Sequence, residues 1–375
     1  MASYNSFLKT FSSCIAIGLS VVFAINFISD PYGLRGRGGR VHNDRLVKAL
    51  KVNRLNPEAV LLGSSGVVRG LDPNHAVFDR YASAYNLGVL GANIYEVQQY
   101  FQHSAAQGTL KTAVVGLDFY AFNASRGVRP GFSEARIAAE KIPVKDFLAL
   151  YFSLSALQLT FNPAQRGAYF NEDGTGSRYI DPQQRQQIFE IEILEDFSAA
   201  EEMYWNYQRS PETLEQFREI TAMAAAESID LKVFVPPLHV SLFHIAKVKN
   251  LWPAYQQWLK EIVAIHPVWD FAGCNSITTE PIVSDMQHFD DPSHYTFLVG
   301  NIILNRLFDH EVAAGPADFG VYVTPDNVEA HLADVKAQCE VWQQQHPQVV
   351  NWIEALGEPG DLLTSLPDTS NTGAP

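Results

Sequence analysis

Three polar residues, far apart in the chain, have the types that nucleophilic catalysis needs. Ser65 follows the apolar run 59–62 in a Gly-Ser-Ser-Gly segment, and Asp291 and His294 share an Asp-Pro-Ser-His segment. Nucleophilic catalysis requires a hydroxyl, a base within hydrogen-bond reach and a group that orients the base. We therefore predict that Ser65 is the nucleophile, that His294 is the base and that Asp291 orients the imidazole.

Each of these residues also has an ordinary structural interpretation. Ser65 would serve as a turn residue, Asp291 as the cap of a following helix and His294 as a hydrogen-bonded structural histidine. A metal site that adds His288 and Asp290 is a further alternative, but the segment lacks a recognised ligand spacing. We predict no metal site and favour catalysis, because the residues are expected to meet at one edge of a sheet.

Short apolar segments alternate with segments of helical periodicity through most of the chain. This alternation predicts a doubly wound, flavodoxin-like α/β fold, in which a five-stranded parallel sheet has helices on both faces. The predicted strands are 59–62, 83–87, 112–117, 231–235 and 268–271. The predicted helices are 44–55, 94–104, 146–159, 182–207, 211–228, 251–265 and 296–308, with one amphipathic helix near 328–342. Residues 161–179 have no clear period and are predicted to form an insertion beside the site.

Ligands of such folds bind beyond the carboxyl ends of the strands, at the edge where the loops meet. Ser65, Asn86, Gly88 and Asp118 each follow a predicted strand, so we expect them at this common edge. The segment 290–294 lies between the last predicted strand and the last helix, from which it can reach the same edge.

The N-terminal segment 10–29 contains no charged residue, and about 20 such residues suffice to cross a bilayer as a helix. A cleavable signal peptide is disfavoured by a poor cleavage site at 24–29, and a buried core helix by the unbroken apolarity. We predict one uncleaved transmembrane helix behind a short stub at 1–9. By the positive-inside rule, the basic residues from Arg35 to Lys48 would place the following domain in the cytoplasm. The rule is weaker when a long domain follows the helix, so the charge count is not decisive.

Composition limits the classes of partner. The net charge of −14 argues against nucleic-acid binding, because nucleic-acid binders carry a basic patch or stripe. Cys14, Cys274 and Cys339 have no metal-ligand spacing, and the last two can pair in an oxidising compartment.

Changes in composition also suggest where the parts of the chain begin and end. A linker and leading helix are predicted at 30–56, a helical extension at 311–356 and a disordered tail at 357–375. The main domain lies between, at 57–310.

The two polar segments resemble sequence blocks of the SGNH (GDSL-like) hydrolases. In that family a strand precedes Gly-Asp-Ser, matched here by the Gly-Ser-Ser that ends at Ser65, and the last block is Asp-x-x-His, matched by 291–294. The glycine of the second block corresponds to Gly88. The chain is most similar to a membrane-anchored branch related to alginate O-acetylation proteins and the lipoteichoic acid D-alanylation protein, and the resemblance covers roughly 57–310.

The resemblance also implies which groups would stabilise the oxyanion, and here the chain departs from the family. The backbone N–H groups of Ser65 and Gly88 are implied as donors, but Asp118 stands where the family has an asparagine. An ionised carboxylate cannot donate a hydrogen bond. Either Asn86 or Asn123 supplies the missing donor, Asp118 is protonated, or activity is low, since losing one donor lowers the rate by about 10²–10³-fold.

Two expectations follow from these departures. We expect the Asp118 carboxylate to point away from the site and to accept backbone N–H groups of the 119–123 turn. On that view Asp118→Asn damages folding more than catalysis. Many relatives carry an arginine directly after the serine; here Gly66 follows it, and Arg69 comes three places later.

The resemblance implies a membrane-anchored serine esterase or O-acyltransferase with a Ser-His-Asp triad and no cofactor. Its substrate would be an acylated glycan or related ester of the cell envelope, and envelope acyl-transfer proteins would be its partners. The main domain would lie in the periplasm or otherwise outside the inner membrane, anchored by residues 10–29 with 1–9 in the cytoplasm. The alternative is a non-catalytic SGNH-like envelope component that binds glycan or an assembly partner, and Asp118 is its best support.

Overall fold

The structure is a computed structural model that describes residues 2–31, 39–40, 43–138, 143–162, 169–177, 180–181, 184–198, 207–311 and 315–355. The predicted tail at 357–375 lies outside the described residues, as do most of the glycine- and arginine-rich part of the predicted linker and parts of the predicted insertion.

The described strands are short and are numbered in chain order. They are β1 (Gly39–Arg40), β2 (Ala59–Leu62), β3 (Ala84–Asn86), β4 (Thr112–Gly116), β5 (Tyr169–Phe170), β6 (Gly176–Ser177), β7 (Asp230–Val235), β8 (Val268–Asp270), β9 (Phe289–Asp291), β10 (His294–Tyr295) and β11 (Val321–Val323).

The described α-helices are numbered in the same way. They are α1 (Ala2–Ser29), α2 (Asp44–Leu55), α3 (Ser65–Gly70), α4 (Ile94–Ala105), α5 (Glu134–Ile137), α6 (Val144–Tyr151), α7 (Leu154–Phe161), α8 (Arg185–Ser198), α9 (Pro211–Ala226), α10 (Val240–Val248), α11 (Trp252–Ile265), α12 (Phe297–Leu307), α13 (Val328–Gln345) and α14 (Pro347–Ala355).

The chain divides into two compact units. The first unit comprises Met1–Leu55 and Gly131–Arg178, and it contains α1 and a small antiparallel sheet in the order β1-β5-β6. In this unit the stretch Tyr4–Ser29 of α1 is long and apolar enough to cross a membrane. The second unit comprises Asn56–Pro130 and Tyr179–Pro375, and it contains the larger sheet.

The larger sheet is mostly parallel and belongs to a mixed α/β structure. Its strand order is β11-β8-β7-β4-β2-β3, and β3, β2, β4, β7 and β8 run parallel to one another. The prediction of five strands is wrong, because among the described residues β11 adds a sixth strand, antiparallel to β8. With only three residues, β11 has no alternation long enough to identify it, and its pairing with β8 is what makes it a strand.

The core of the second unit explains where the site lies. Every residue of β2 and β4 is buried, as expected for central strands covered by other elements. The two strands pair in parallel register, with Leu62 opposite Val115, so their carboxyl ends lie together. Ser65 follows β2 and Asp118 follows β4, and this pairing brings the two loops to one edge.

Two predicted helical segments have a more divided structure than the periodicity indicated. The single helix predicted at 146–159 is instead α6 followed by α7, and the Ser153 hydroxyl accepts a hydrogen bond from the Ala156 N–H at 3.1 Å to cap α7. The extension predicted at 311–356 contains β11, α13 and α14. A disulfide between Cys274 and Cys339 joins α13 to the loop after β8.

Close packing fixes α3 against the neighbouring elements. A Cβ atom on Gly70, at the end of α3, would overlap the ring of Tyr295 in β10. A Cβ atom on Gly300 in α12 would overlap the Gly70 carbonyl oxygen. Since β10 also carries His294, Gly70 allows α3 to approach the strand that holds the predicted base, and Gly300 allows α12 to pack against the end of α3.

Candidate active site

The sharp turn between β2 and α3 places Ser65 at the carboxyl end of the sheet. Gly63 has φ of +149°, a conformation that side-chain-bearing residues rarely adopt, and a Cβ there would also lie 2.6 Å from Val67 Cγ2. Ser64 is the extended cap residue, and Ser65 is the first residue of α3. The N–H groups of a first helical turn have no acceptor within the helix and point out of its N-terminal end, which is the end that Ser65 occupies.

Asp291 and His294 are held by a tight hairpin rather than by an open loop. The strands β9 and β10 are antiparallel, with Asp291 directly opposite His294. Ser293, in the turn, donates to Asp291 Oδ1 from both its N–H and its hydroxyl, each at 3.0 Å. The Asp291 side chain is fully buried. The hairpin therefore fixes the carboxylate and the imidazole relative to each other.

The three predicted catalytic side chains form a continuous chain of hydrogen bonds. The Ser65 Oγ lies 2.8 Å from His294 Nε2, and His294 Nδ1 lies 2.6 and 2.8 Å from the two carboxylate oxygens of Asp291. Because an ionised carboxylate only accepts, His294 Nδ1 must carry a hydrogen. In the neutral imidazole Nε2 is then the basic nitrogen, and it faces the Ser65 hydroxyl.

Arg69, on α3, reinforces the ionised state of Asp291. Its guanidinium donates to Asp291 Oδ2 at 3.2 Å. Burial alone would raise the pKa of Asp291, but the neighbouring His294 and Arg69 outweigh it and hold the pKa well below its usual range. In the sequence, Arg69 is notable only as the arginine three places after Gly66. Its contact with Asp291 joins residues that are 222 positions apart, so no local pattern indicated it.

Asp118 lies in a buried polar cluster beside the serine turn. The Tyr120 hydroxyl donates to Ser64 Oγ at 2.6 Å, and the Ser64 side chain in turn hydrogen-bonds to Asp118. Burial raises the pKa of Asp118 from 3.8 to about 6, although the bond from Ser64 and the charge of Arg126 oppose the rise. Burial and the nearby Asp118 charge also raise the pKa of Tyr120 well above its usual range, so its hydroxyl stays protonated.

The expected bracing of the 119–123 turn by Asp118 is wrong. Asp118 precedes the 3₁₀ turn Phe119–Phe122, but its side chain makes no capping bond to that turn. Ser64 and Arg126 are its side-chain neighbours instead. The loop is braced by Asn123, whose Oδ1 accepts the N–H groups of Ser125 and Gln208 at 3.2 and 2.9 Å.

The other predicted oxyanion groups are engaged within the protein. The Asn86 side-chain amide donates to two backbone carbonyl oxygens. One is Val67 O in α3, at 2.8 Å, and the other is Leu71 O, directly after α3, at 2.9 Å. The Gly88 N–H donates to Asn86 Oδ1 at 3.2 Å. For either group to hold an oxyanion, these bonds would have to exchange for bonds to substrate, whereas the first-turn N–H groups of α3 need no such exchange.

A small apolar cavity borders the cluster. It has a volume of about 50 Å³ and is lined by Leu117, Asp118, Phe119, Val235, Leu242 and Phe243, among others. One water needs about 10–15 Å³ by this measure, so the cavity has room for a few water-sized groups. Within the described residues no cluster of three or more His, Cys, Asp or Glu side chains is arranged to hold a metal ion.

Comparison of the chain with models of known protein families gives no match. Comparison with curated proteins gives no match either.

Proposed function

We propose that this protein is a membrane-anchored serine acyl-transfer enzyme of the SGNH-like type. The observation that carries the proposal is the continuous chain from the Ser65 hydroxyl through His294 to the ionised Asp291. The strands β2 and β4, which precede the two site loops, are neighbours in the order β3-β2-β4-β7-β8 of the five parallel strands. This order supports the proposal, because one common doubly wound fold has it. Ligands of that fold bind at the point between these two strands.

The reaction follows from the positions of the protons. The Ser65 oxygen attacks the carbonyl carbon of an ester while His294 Nε2 takes the hydroxyl proton, and the tetrahedral oxyanion forms beside the first-turn N–H groups of α3. Collapse breaks the ester bond, and His294 returns the proton to the departing alcohol. The acyl group then passes from Ser65 to water or to a sugar hydroxyl, with His294 again acting as the base.

Asp118 supplies a further donor in this proposal, and Tyr120 supports it through its hydrogen bond to Ser64. Tyr120 stays protonated, and a carboxyl with a pKa of about 6 is protonated in a fraction of molecules at neutral pH. A protonated carboxyl can donate to an oxyanion in an apolar surrounding. The protonated Asp118 carboxyl therefore takes the place of the donor that the family asparagine would provide, while the Ser64 hydroxyl keeps its hydrogen bond to Asp118.

The Cys274–Cys339 disulfide supports a location outside the cytoplasm. Structural disulfides persist in oxidising compartments and are rare in the cytosol. This argument is independent of the resemblance. It favours the opposite side of the membrane from the one that the basic residues after α1 would indicate. The proposed substrate is accordingly an acylated envelope polysaccharide or a related ester, and the proposed partners are envelope acyl-transfer proteins.

A second candidate is a non-catalytic envelope component that binds glycan. The observation that favours it is the ionisable Asp118 at the position where a neutral donor is expected, since an anion there opposes a developing oxyanion. This candidate predicts a serine that is no more reactive than other serines of the chain.

Labelling with a fluorophosphonate probe separates the two candidates. Full-length protein in native membranes should be labelled, and Ser65→Ala should abolish the labelling. Ser83→Ala is the matched control, because Ser83 precedes β3 at the opposite edge of the sheet from the site. Absence of labelling in the wild type, or equal labelling of Ser65→Ala, would overturn the enzymatic proposal.

A further inference from the structure

The two short helices α6 and α7 of the first unit expose a set of large apolar side chains. The exposed α6–α7 face comprises Val144 (75% exposed), Phe147 (38%), Leu148 (52%), Leu154 (69%) and Phe161 (74%). The three on α6 are spaced by three and four residues and so share one side of that helix, and the two on α7 are seven residues apart and share one side of theirs. Exposed apolar sides of this kind mark an interaction site.

Specific contacts dock these helices on the last turns of α1. Phe23 of α1 packs its ring against Tyr151 and Phe152, with ring centroids 5.7 and 5.1 Å apart. The Ser29 hydroxyl hydrogen-bonds to the Thr160 hydroxyl of α7 at 2.8 Å. The exposed α6–α7 face is therefore attached to the carboxyl-terminal end of the apolar helix.

Asn26 satisfies the backbone of the connection between α6 and α7. Its Nδ2 donates to the carbonyl oxygens of Tyr151 at 3.0 Å and Ser153 at 3.2 Å, and Asn26 itself is fully buried. Carbonyl groups at a helix end have no partner within the helix, and in a lipid environment water cannot replace it. These bonds from α1 allow the connection to lie where water is scarce.

The charges near this face are also arranged for a surface that adjoins lipid. Asp146, the acidic residue of α6, is paired in two-point fashion with Arg136, whose Nε and terminal nitrogen donate to its two oxygens at 2.8 and 3.0 Å. Lys145 is exposed, and a lysine at a membrane interface can extend its ammonium group toward water.

The length of α1 indicates how deep the docking contacts lie. The apolar stretch has 26 residues, which at about 1.5 Å per residue span about 39 Å, against about 30 Å of hydrocarbon. When such a helix crosses a bilayer, its final turns, from Phe23 to Ser29, lie at or just within the interface. Whatever packs on those turns lies at the same depth.

We propose that α6 and α7 form an interfacial membrane element, with the exposed α6–α7 face in contact with lipid beside the carboxyl-terminal end of α1. Lipid is the occupant because α6 and α7 are docked on the last turns of α1, the helix that is long and apolar enough to cross a bilayer. The proposal does not depend on catalysis by Ser65.

Nitroxide depth measurements on the purified full-length chain test the proposal. In a Cys14→Ser background, Leu148→Cys and Phe161→Cys are spin-labelled and reconstituted in phosphatidylcholine–phosphatidylglycerol vesicles. We expect collisions with oxygen to exceed collisions with an aqueous nickel chelate several-fold at both positions. Ala225→Cys, exposed on α9 of the second unit, is the control and should show the opposite preference.

Two results would overturn the proposal. Labels at 148 and 161 that contact the nickel chelate as readily as the label at 225 would show that the face is in water in the isolated protein, as expected for a surface that binds another protein. Strong dipolar broadening between labels on different molecules would show instead that a second copy covers the face.

Discussion

Replacement of Asp118 by asparagine should stabilise the protein, and more so at high pH than at low pH. If the ionised carboxylate braced the loop, the same replacement would instead destabilise the protein, and most at high pH. Burial raises the pKa of this carboxyl from 3.8 to about 6. At about 1.36 kcal/mol per pKa unit, the ionised form therefore destabilises the folded state by about 3 kcal/mol. Asparagine has a similar shape and can still accept the hydrogen bond from Ser64, but it carries no charge to bury.

The sign follows from the raised pKa. The folded state binds the proton more tightly than the unfolded state, so the stability from the neutral carboxyl is fully present below pH 3.8 and is lost as pH rises through about 6. Near pH 4.5 roughly two thirds of the loss has yet to occur. We therefore expect Asp118→Asn to gain about 2 kcal/mol relative to wild type between about pH 4.5 and pH 8.

Denaturant unfolding of the full-length protein in detergent, followed by tryptophan fluorescence, measures this difference at both pH values. Asp326→Asn is the control, because it removes one carboxylate from an exposed turn, where no burial penalty is relieved. A difference for Asp118→Asn that is the same at both pH values, or that falls as pH rises, would refute the assignment of a buried, costly charge. Turnover of p-nitrophenyl acetate by the same variant reports whether a neutral amide serves the oxyanion as well as the carboxyl does.

Three further perturbations test the site and the fold. Asp291→Asn should lower p-nitrophenyl acetate turnover by about 10³–10⁴-fold, because the carboxylate selects the imidazole tautomer; a loss below tenfold would contradict that role. Gly300→Ala should destabilise the second unit by about 1–3 kcal/mol or more in denaturant unfolding, because its Cβ meets the Gly70 carbonyl, whereas Gly127→Ala, with open space around the Cβ, should not. Cys339→Ala should lower the free energy of unfolding by about 4 kcal/mol for a 65-residue loop, and an equal gap after reduction of both proteins would contradict this.

Much of the framework follows from local patterns in the sequence. The apolar runs that became β2, β4, β7 and β8 were identifiable because central parallel strands are buried on both sides and read as continuous apolar segments. The helix α1 was identifiable by its lack of charge, although it begins well before residue 10. Residue types and spacing in the Gly-Ser-Ser turn and the Asp-Pro-Ser-His segment were enough to predict Ser65, Asp291 and His294 as the candidate catalytic residues.

Other features depend on contacts between distant parts of the chain, and these only the tertiary structure decides. The strand β11 exists through its pairing with β8, and the break between α6 and α7 depends on the hydroxyl cap of Ser153 within an apolar pattern that continues through it. The contact of Arg69 with Asp291, and the burial that raises the pKa of Asp118, arise from the folded surroundings of each group. Residue types and spacing name the groups capable of chemistry, but charge state and hydrogen-bond partners are set by burial and by neighbours that are remote in sequence.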